Sequence, residues 1–135
     1  MSDRPTDQEL VEIARRAREH AYAPYSNFPV GAALLGRSGQ VFTGANVENA
    51  AYPLTTCAER TAVTKAVSEG ERDFDTIAVV TETGATPCGS CRQILREFGG
   101  EKGNLRVIVA DTEGKSRTYT IAELLPDGFT PEQLG

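Results

Sequence analysis

The chain has little with which to close a structural metal site. It contains three cysteines, Cys57, Cys88 and Cys91, and a single histidine, His20. A closed tetrahedral zinc site takes four protein ligands. His20 lies in the charged run Arg16-Ala17-Arg18-Glu19-His20, and a lone histidine on a charged helix face is usually just solvated. The chain also lacks an excess of basic residues: 14 Lys and Arg against 19 Asp and Glu give a formal net charge of −5. That balance opposes binding to a phosphate backbone, which requires a basic face. No apolar run approaches the roughly 20 residues that cross a bilayer. Residues Met1 to Asp7 contain no apolar stretch of the kind found in secretory signals. Cysteines at metal-type spacing without an export signal point to a reducing cytoplasm, not a disulfide framework. Internal repeats, low-complexity tracts and linkers are missing as well. The 135 residues, 39% of them hydrophobic, therefore suit one domain, 1–135, with one real core. The expected partner is a small molecule that is not polyanionic, with no nucleic acid and no membrane.

What the chain does have is two short motifs, Thr56-Cys57-Ala58-Glu59-Arg60 and Pro87-Cys88-Gly89-Ser90-Cys91-Arg92. A C-x-x-C behind a proline is a common way to put two thiolates on one metal, and Cys57 would be the third ligand. Three ligands leave a tetrahedral Zn²⁺ one open position, as a catalytic site needs. Glu59, two residues past Cys57, is the candidate to handle protons on an activated water. A redox role for Cys88 and Cys91 leaves Cys57 and Glu59 unexplained. Three unrelated buried cysteines would make both motifs coincidences. Catalytic zinc, one per chain, accounts for all four residues. It also matches the established signature of zinc deaminases, in which the Glu is acid/base and not a ligand.

Along the chain, Thr6-Asp7-Gln8-Glu9 reads as a capping box opening a helix with the apolar stripe Leu10, Ala14, Ala17 and Ala21, ended by Ala23-Pro24. Val30 to Leu35 and Gln40 to Val47 read as a hairpin around the Gly36-Arg37-Ser38-Gly39 turn. Gly31 and Gly44, inside those strands, predict close backbone approach or a bulge. Asn46 to Pro53 is a polar exit in which Glu48, between two asparagines and just upstream of Cys57, suggests ligand binding. Thr55 or Thr56 is expected to cap the next helix, which carries Ala58, Ala62, Val63, Ala66 and Val67 and stops at Gly70. A strand over Thr76 to Val80 follows. Pro87 opens the next helix, with Cys91, Ile94, Leu95 and Phe98 on one face and Gly99-Gly100 ending it. Leu105 to Ala110 and Ser116 to Thr120 read as strands, the second an antiparallel edge. Thr120 to Glu123 is a second capping box, and the helical turn it opens closes at Pro126. The order α-β-β-α-β-α-β-β-α predicts an α/β fold, a mixed sheet with helices on both faces. Cys57 and Cys88 both precede helices, whose free N–H groups and positive dipole ends favour thiolates.

Three segments carry a family resemblance: Asn46-Val47-Glu48-Asn49-Ala50, Cys57-Ala58-Glu59-Arg60-Thr61-Ala62 and Pro87-Cys88-Gly89-Ser90-Cys91-Arg92-Gln93. With Ala21 to Ala33 and Glu123 to Pro126, the chain resembles the small, homotetrameric cytidine deaminases of pyrimidine salvage over nearly its whole length. The resemblance implies a three-layer α/β/α sandwich with a five-stranded mixed sheet, zinc on Cys57, Cys88 and Cys91, and Glu59 as proton shuttle. It further implies that Asn46 and Glu48 bind the ribose hydroxyl, that Phe28 stacks on the pyrimidine, and that main-chain groups near Ala58 read the base. Tyr52 and Phe129 match aromatics that reach a neighbouring subunit's site, so a homotetramer with shared active sites is implied. The chain departs from the family in Ala45, where cysteine is expected, in Ser90, and in a shorter loop from Thr81 to Thr86.

Three thiolates weaken a zinc ion as a Lewis acid, so positive groups should offset them. The two helix N-termini are one source, and Arg60, expected to hydrogen-bond a thiolate sulfur, is a second. The implied reaction is hydrolysis of the C4 amino group of free cytidine and 2′-deoxycytidine. Two alternatives stand further off. One is a deaminase of a related nucleoside such as blasticidin S, which the Asn46 to Tyr52 segment matches less well. The other is a non-catalytic zinc-stabilised module, which leaves Glu59 without a purpose.

Overall fold

The computed structural model describes residues 4–131. Helix α1 (Asp7–Ala17) leads through a 3-10 turn (Arg18–His20) to strands β1 (Gly31–Gly36) and β2 (Val41–Ala45). Helix α2 (Ala58–Ser68), β3 (Phe74–Val80), α3 (Gly89–Glu97), β4 (Arg106–Ala110), β5 (Ser116–Thr120) and α4 (Ile121–Leu124) follow in that order. The strands form one five-stranded sheet in the order β2-β1-β3-β4-β5. β1 runs antiparallel to both β2 and β3, β3 and β4 are parallel, and β5 is the antiparallel edge. The expected α/β class, element order and mixed sheet are all found.

Strand alternation divides the core in two. Ala33, Leu35, Ala78, Val80, Ile108 and Ala110 face α1 and bury its Leu10 and Ala14. Ala32, Leu34, Ile77, Val79, Val107 and Val109 face the other way and bury α2 through Ala58, Ala62, Val63 and Ala66, and α3 through Leu95. Helices therefore cover both faces, as the small-residue stripes of α1 and α2 require for close approach. The glycines set that approach. A Cβ on Gly31 would fall on the Ala14 carbonyl and 2.8 Å from the Arg18 Cα; one on Gly44 would fall on the Ala58 carbonyl and 2.7 Å from the Ala62 nitrogen. The helices lie directly on bare strand backbone, one on each face. The bulge of β1 lies elsewhere, between Leu35 and Gly36.

Three local expectations are corrected. The apolar stripe of α1 does not continue to Ala21: the helix stops at Ala17 and tightens into the 3-10 turn. The cause is competition for backbone groups, because the Tyr22 N–H donates to the Asn46 carbonyl and the Glu48 N–H to the Tyr22 carbonyl, each at 2.9 Å. Neither Thr55 nor Thr56 caps α2; Cys57 occupies that position and makes no side-chain cap. Thr56 is paired with Val47 through two backbone bonds of 2.9 Å, and the Thr55 hydroxyl accepts from the Asn49 N–H. Pro87 sits just before the N-cap of α3, which is Cys88. Both capping boxes, at Thr6 and Thr120, form as read. Among the described residues, no helix is long and apolar enough to cross a membrane.

Candidate metal centre and active site

Starting α2 and α3 at cysteines is what brings the two motifs together. Cys57 and Cys88 are the N-caps of the two helices and Cys91 is one turn into α3. The helices pack side by side, so their N-termini converge, and the three sulfurs lie within 4.8 Å of one another. Neither cysteine side chain caps its helix, and both helices bring their positive N-terminal ends to the cluster. Hydrogen bonds from Cys91, and more weakly Cys88, together with the Arg60 charge, draw the Cys57 thiol down to about 6, against the opposing effect of burial. Cys91, holding its proton in that bond and buried, is pushed up. A cluster of three soft sulfur donors, with the Cys57 thiol already inclined to ionise, suits zinc. Arg60 itself is exposed, and among the described residues no hydrogen bond joins it to a cysteine sulfur; it acts on the cluster by charge alone.

Glu59 follows from the same helix start. At the second position of α2 it turns inward, is only 4% exposed, and lies beside the sulfurs. Burial lifts its carboxyl to about 7; its own backbone N–H opposes this, and the charge of Cys57 adds to it. A bound cation would reverse the local balance and favour the ionised form.

A cleft of about 290 Å³ opens over these groups, at the end of the sheet where β3 runs out. It brings together Phe28, Asn46, Glu48, Ala58, Glu59 and the three cysteines, drawn from four stretches of sequence. Asn46 is buried with both ends of its amide engaged: Oδ1 accepts from the Val30 N–H at 2.9 Å and Nδ2 donates to the Phe28 carbonyl at 3.1 Å. One Nδ2 hydrogen remains for a ligand. Glu48 accepts from the backbone of Tyr25 and Ser26 and from the Ser26 hydroxyl, and that hydroxyl above all holds its carboxyl below the usual range. Two expected site residues do not line this cleft. Tyr52 is 70% exposed, stacked edge-on against Tyr25, and Phe129 is 54% exposed, with its carbonyl accepting from Gln93.

Two residues have roles around the site that the motifs do not assign. Ser26 joins Glu48 to the Phe28 segment. Arg92 donates to the Pro87 carbonyl, the Leu124 carbonyl and the Thr86 hydroxyl, at 2.7, 2.7 and 2.8 Å, tying the metal loop to α4. A serine two residues before an aromatic in a polar loop, and an arginine directly behind C-x-x-C, are the faint signals they leave. A second groove of about 350 Å³ lies between α1 and the β4–β5 hairpin, but it contains no thiol. The chemistry is in the smaller cleft.

Comparison with known proteins agrees with this arrangement. The family model of the cytidine and deoxycytidylate deaminase zinc-binding region matches residues 4–106. A cytidine deaminase of Sporosarcina psychrophila is 48% identical over 129 residues, 94% of this chain and 93% of that protein. One from Halalkalibacterium halodurans is 50% identical over 129 residues, 94% of this chain and 96% of that one. The crystal structure of a cytidine deaminase from Burkholderia pseudomallei aligns with a TM-score of 0.88 at 50% identity, over 93% of this chain and all of that one. A family model matched over most of the chain, and relatives about half identical over nearly their whole length, show that the chain belongs to the cytidine and deoxycytidylate deaminase family.

Proposed function

We propose that the protein hydrolyses the C4 amino group of free cytidine and 2′-deoxycytidine, giving uridine or 2′-deoxyuridine and ammonia. The observation that carries this reading is the buried Glu59 carboxylate beside three convergent thiols, in one cleft with Asn46 and Glu48. Cys57, Cys88 and Cys91 would hold a zinc ion, which when bound supplies a water activated at neutral pH. Glu59 takes a proton from the attacking water and delivers one to N3 of the ring, so that charge does not build up on the pyrimidine. It then takes the proton of the new C4 hydroxyl and passes it to the departing amine as the C–N bond breaks and C4=O forms, so one water is consumed for each ammonia released. Phe28 offers a face on which the base stacks, main-chain groups at Ala58 read its edge, and Asn46 and Glu48 hold the sugar. Arg60 offsets part of the negative charge of the thiolates.

One domain, 1–135, carries the activity, and four copies assemble with Tyr52 and Phe129 crossing into neighbouring sites. Support for assembly comes from two aromatics left half or more exposed by the fold. The place of action is the cytoplasm, in salvage of pyrimidine nucleosides. An ultraviolet assay with metal content measured on the same sample tests the reading. Cytidine and 2′-deoxycytidine should both be consumed with about one zinc per chain, CMP should be poor because its phosphate adds charge beside an acidic protein, and light scattering under assay conditions should give a tetramer. Equal turnover of CMP would contradict the substrate assignment, and a fully active monomer the shared sites.

A further inference from the structure

The Glu48 carboxylate is already engaged before any sugar arrives. Its Oε1 accepts from the backbone N–H of Tyr25 at 2.9 Å and of Ser26 at 3.1 Å, and its Oε2 accepts from the Ser26 hydroxyl. The oxygen of that hydroxyl in turn accepts from the Phe28 N–H at 3.1 Å. Asn27, between them, holds a left-handed φ of 55°, a conformation asparagine tolerates better than most residues. A carboxylate offers about four acceptor positions. Three are filled here by the protein, which leaves one, on Oε2.

Resting on the deaminase reading above, we propose that Ser26 is a positioning residue for sugar recognition. Its hydroxyl turns Glu48 so that the one remaining acceptor position meets a single sugar hydroxyl, and it links that carboxylate to the backbone of Phe28. Ser26 touches no reacting atom. With only one position to fill, Glu48 needs one hydroxyl of the sugar, so loss of a second hydroxyl costs little there. A carboxylate fixed in advance also loses less freedom on binding. The hydrogen bonds that fix it keep Glu48 ionised at neutral pH, as an acceptor must be.

The test compares kcat/KM for cytidine with that for 2′,3′-dideoxycytidine, which lacks both ring hydroxyls. Where the dideoxynucleoside turns over too slowly, its inhibition constant is set against KM for cytidine. Wild type should prefer cytidine. Ser26→Ala should reduce that preference about tenfold, the order of one hydrogen bond to a charged group. Ser26→Thr keeps the hydroxyl and should restore most of it, and Ser26→Ala should have little further effect in a Glu48→Gln background. An unchanged preference in Ser26→Ala, or an equal loss on both nucleosides, would overturn the proposal. So would a Ser26→Ala chain that no longer folds or holds zinc, because Ser26 would then be structural. If wild type deaminates cytidine and Ser26→Ala keeps its preference, only the role of Ser26 falls. If wild type does not act on cytidine at all, the deaminase reading falls with it.

Discussion

Two glutamates in one cleft are driven in opposite directions by their surroundings. Glu59 is buried with few partners and its carboxyl rises to about 7; Glu48 accepts three hydrogen bonds and is held below its usual range. A buried carboxyl with few fixed partners is free to exchange a proton, and one held ionised by three hydrogen bonds suits binding. The thiols show the same division of labour by position. Cys91 is the most buried of the three, and losing it leaves two sulfurs and an interior gap. Cys91→Ala should therefore lose bound metal and lower the melting temperature, since metal binding and folding are coupled. Retention of one zinc per chain in that variant would show that Cys91 is not a ligand. This part of the site was legible in the sequence because only three cysteines exist and their spacing is chemical. Ser26 and Arg92 were not, since their partners are a carboxylate 22 positions away and a carbonyl 32 positions away. Such pairings depend on the fold and leave little mark on local pattern.

At the scale of elements, the site depends on where two helices begin and how closely they lie on the sheet. Helix α2 rests on Gly44 of β2, where an added Cβ would first meet the Ala58 carbonyl and the Ala62 nitrogen, backbone atoms that cannot yield as a flexible side chain would. Gly44→Ala should cost about 1–3 kcal/mol, as overpacking does, and weaken zinc binding by shifting Cys57. Gly89→Ala, at the start of α3 with nothing within 4 Å, should leave the melting temperature unchanged or slightly raised. Thermal melts and zinc titrations of the pair would decide, and an undisturbed Gly44→Ala would contradict the packing account. The sequence revealed which elements exist, because periodicity and capping boxes are local. It misplaced the end of α1 and the cap of α2, because the backbone groups of Tyr22 are claimed by Asn46 and Glu48, across the hairpin, and those of Thr56 by Val47.

For the whole molecule, the mixed sheet sends β3 and the exit of β2 toward one end, where the N-termini of α2 and α3 complete the cleft. The arrangement concentrates positive helix ends at one place in a chain of net charge −5. The central claim is a division between three residues that hold metal and a fourth, Glu59, that moves protons without holding it. Glu59→Gln tests this most directly, because the amide keeps the shape and loses the acid/base function. Measured together on one preparation, metal content, melting temperature and turnover should give about one zinc per chain, near-native stability, and a rate lower by roughly 10²–10⁴-fold. A Glu59→Gln protein that loses its zinc along with its activity would place Glu59 among the ligands and contradict the account.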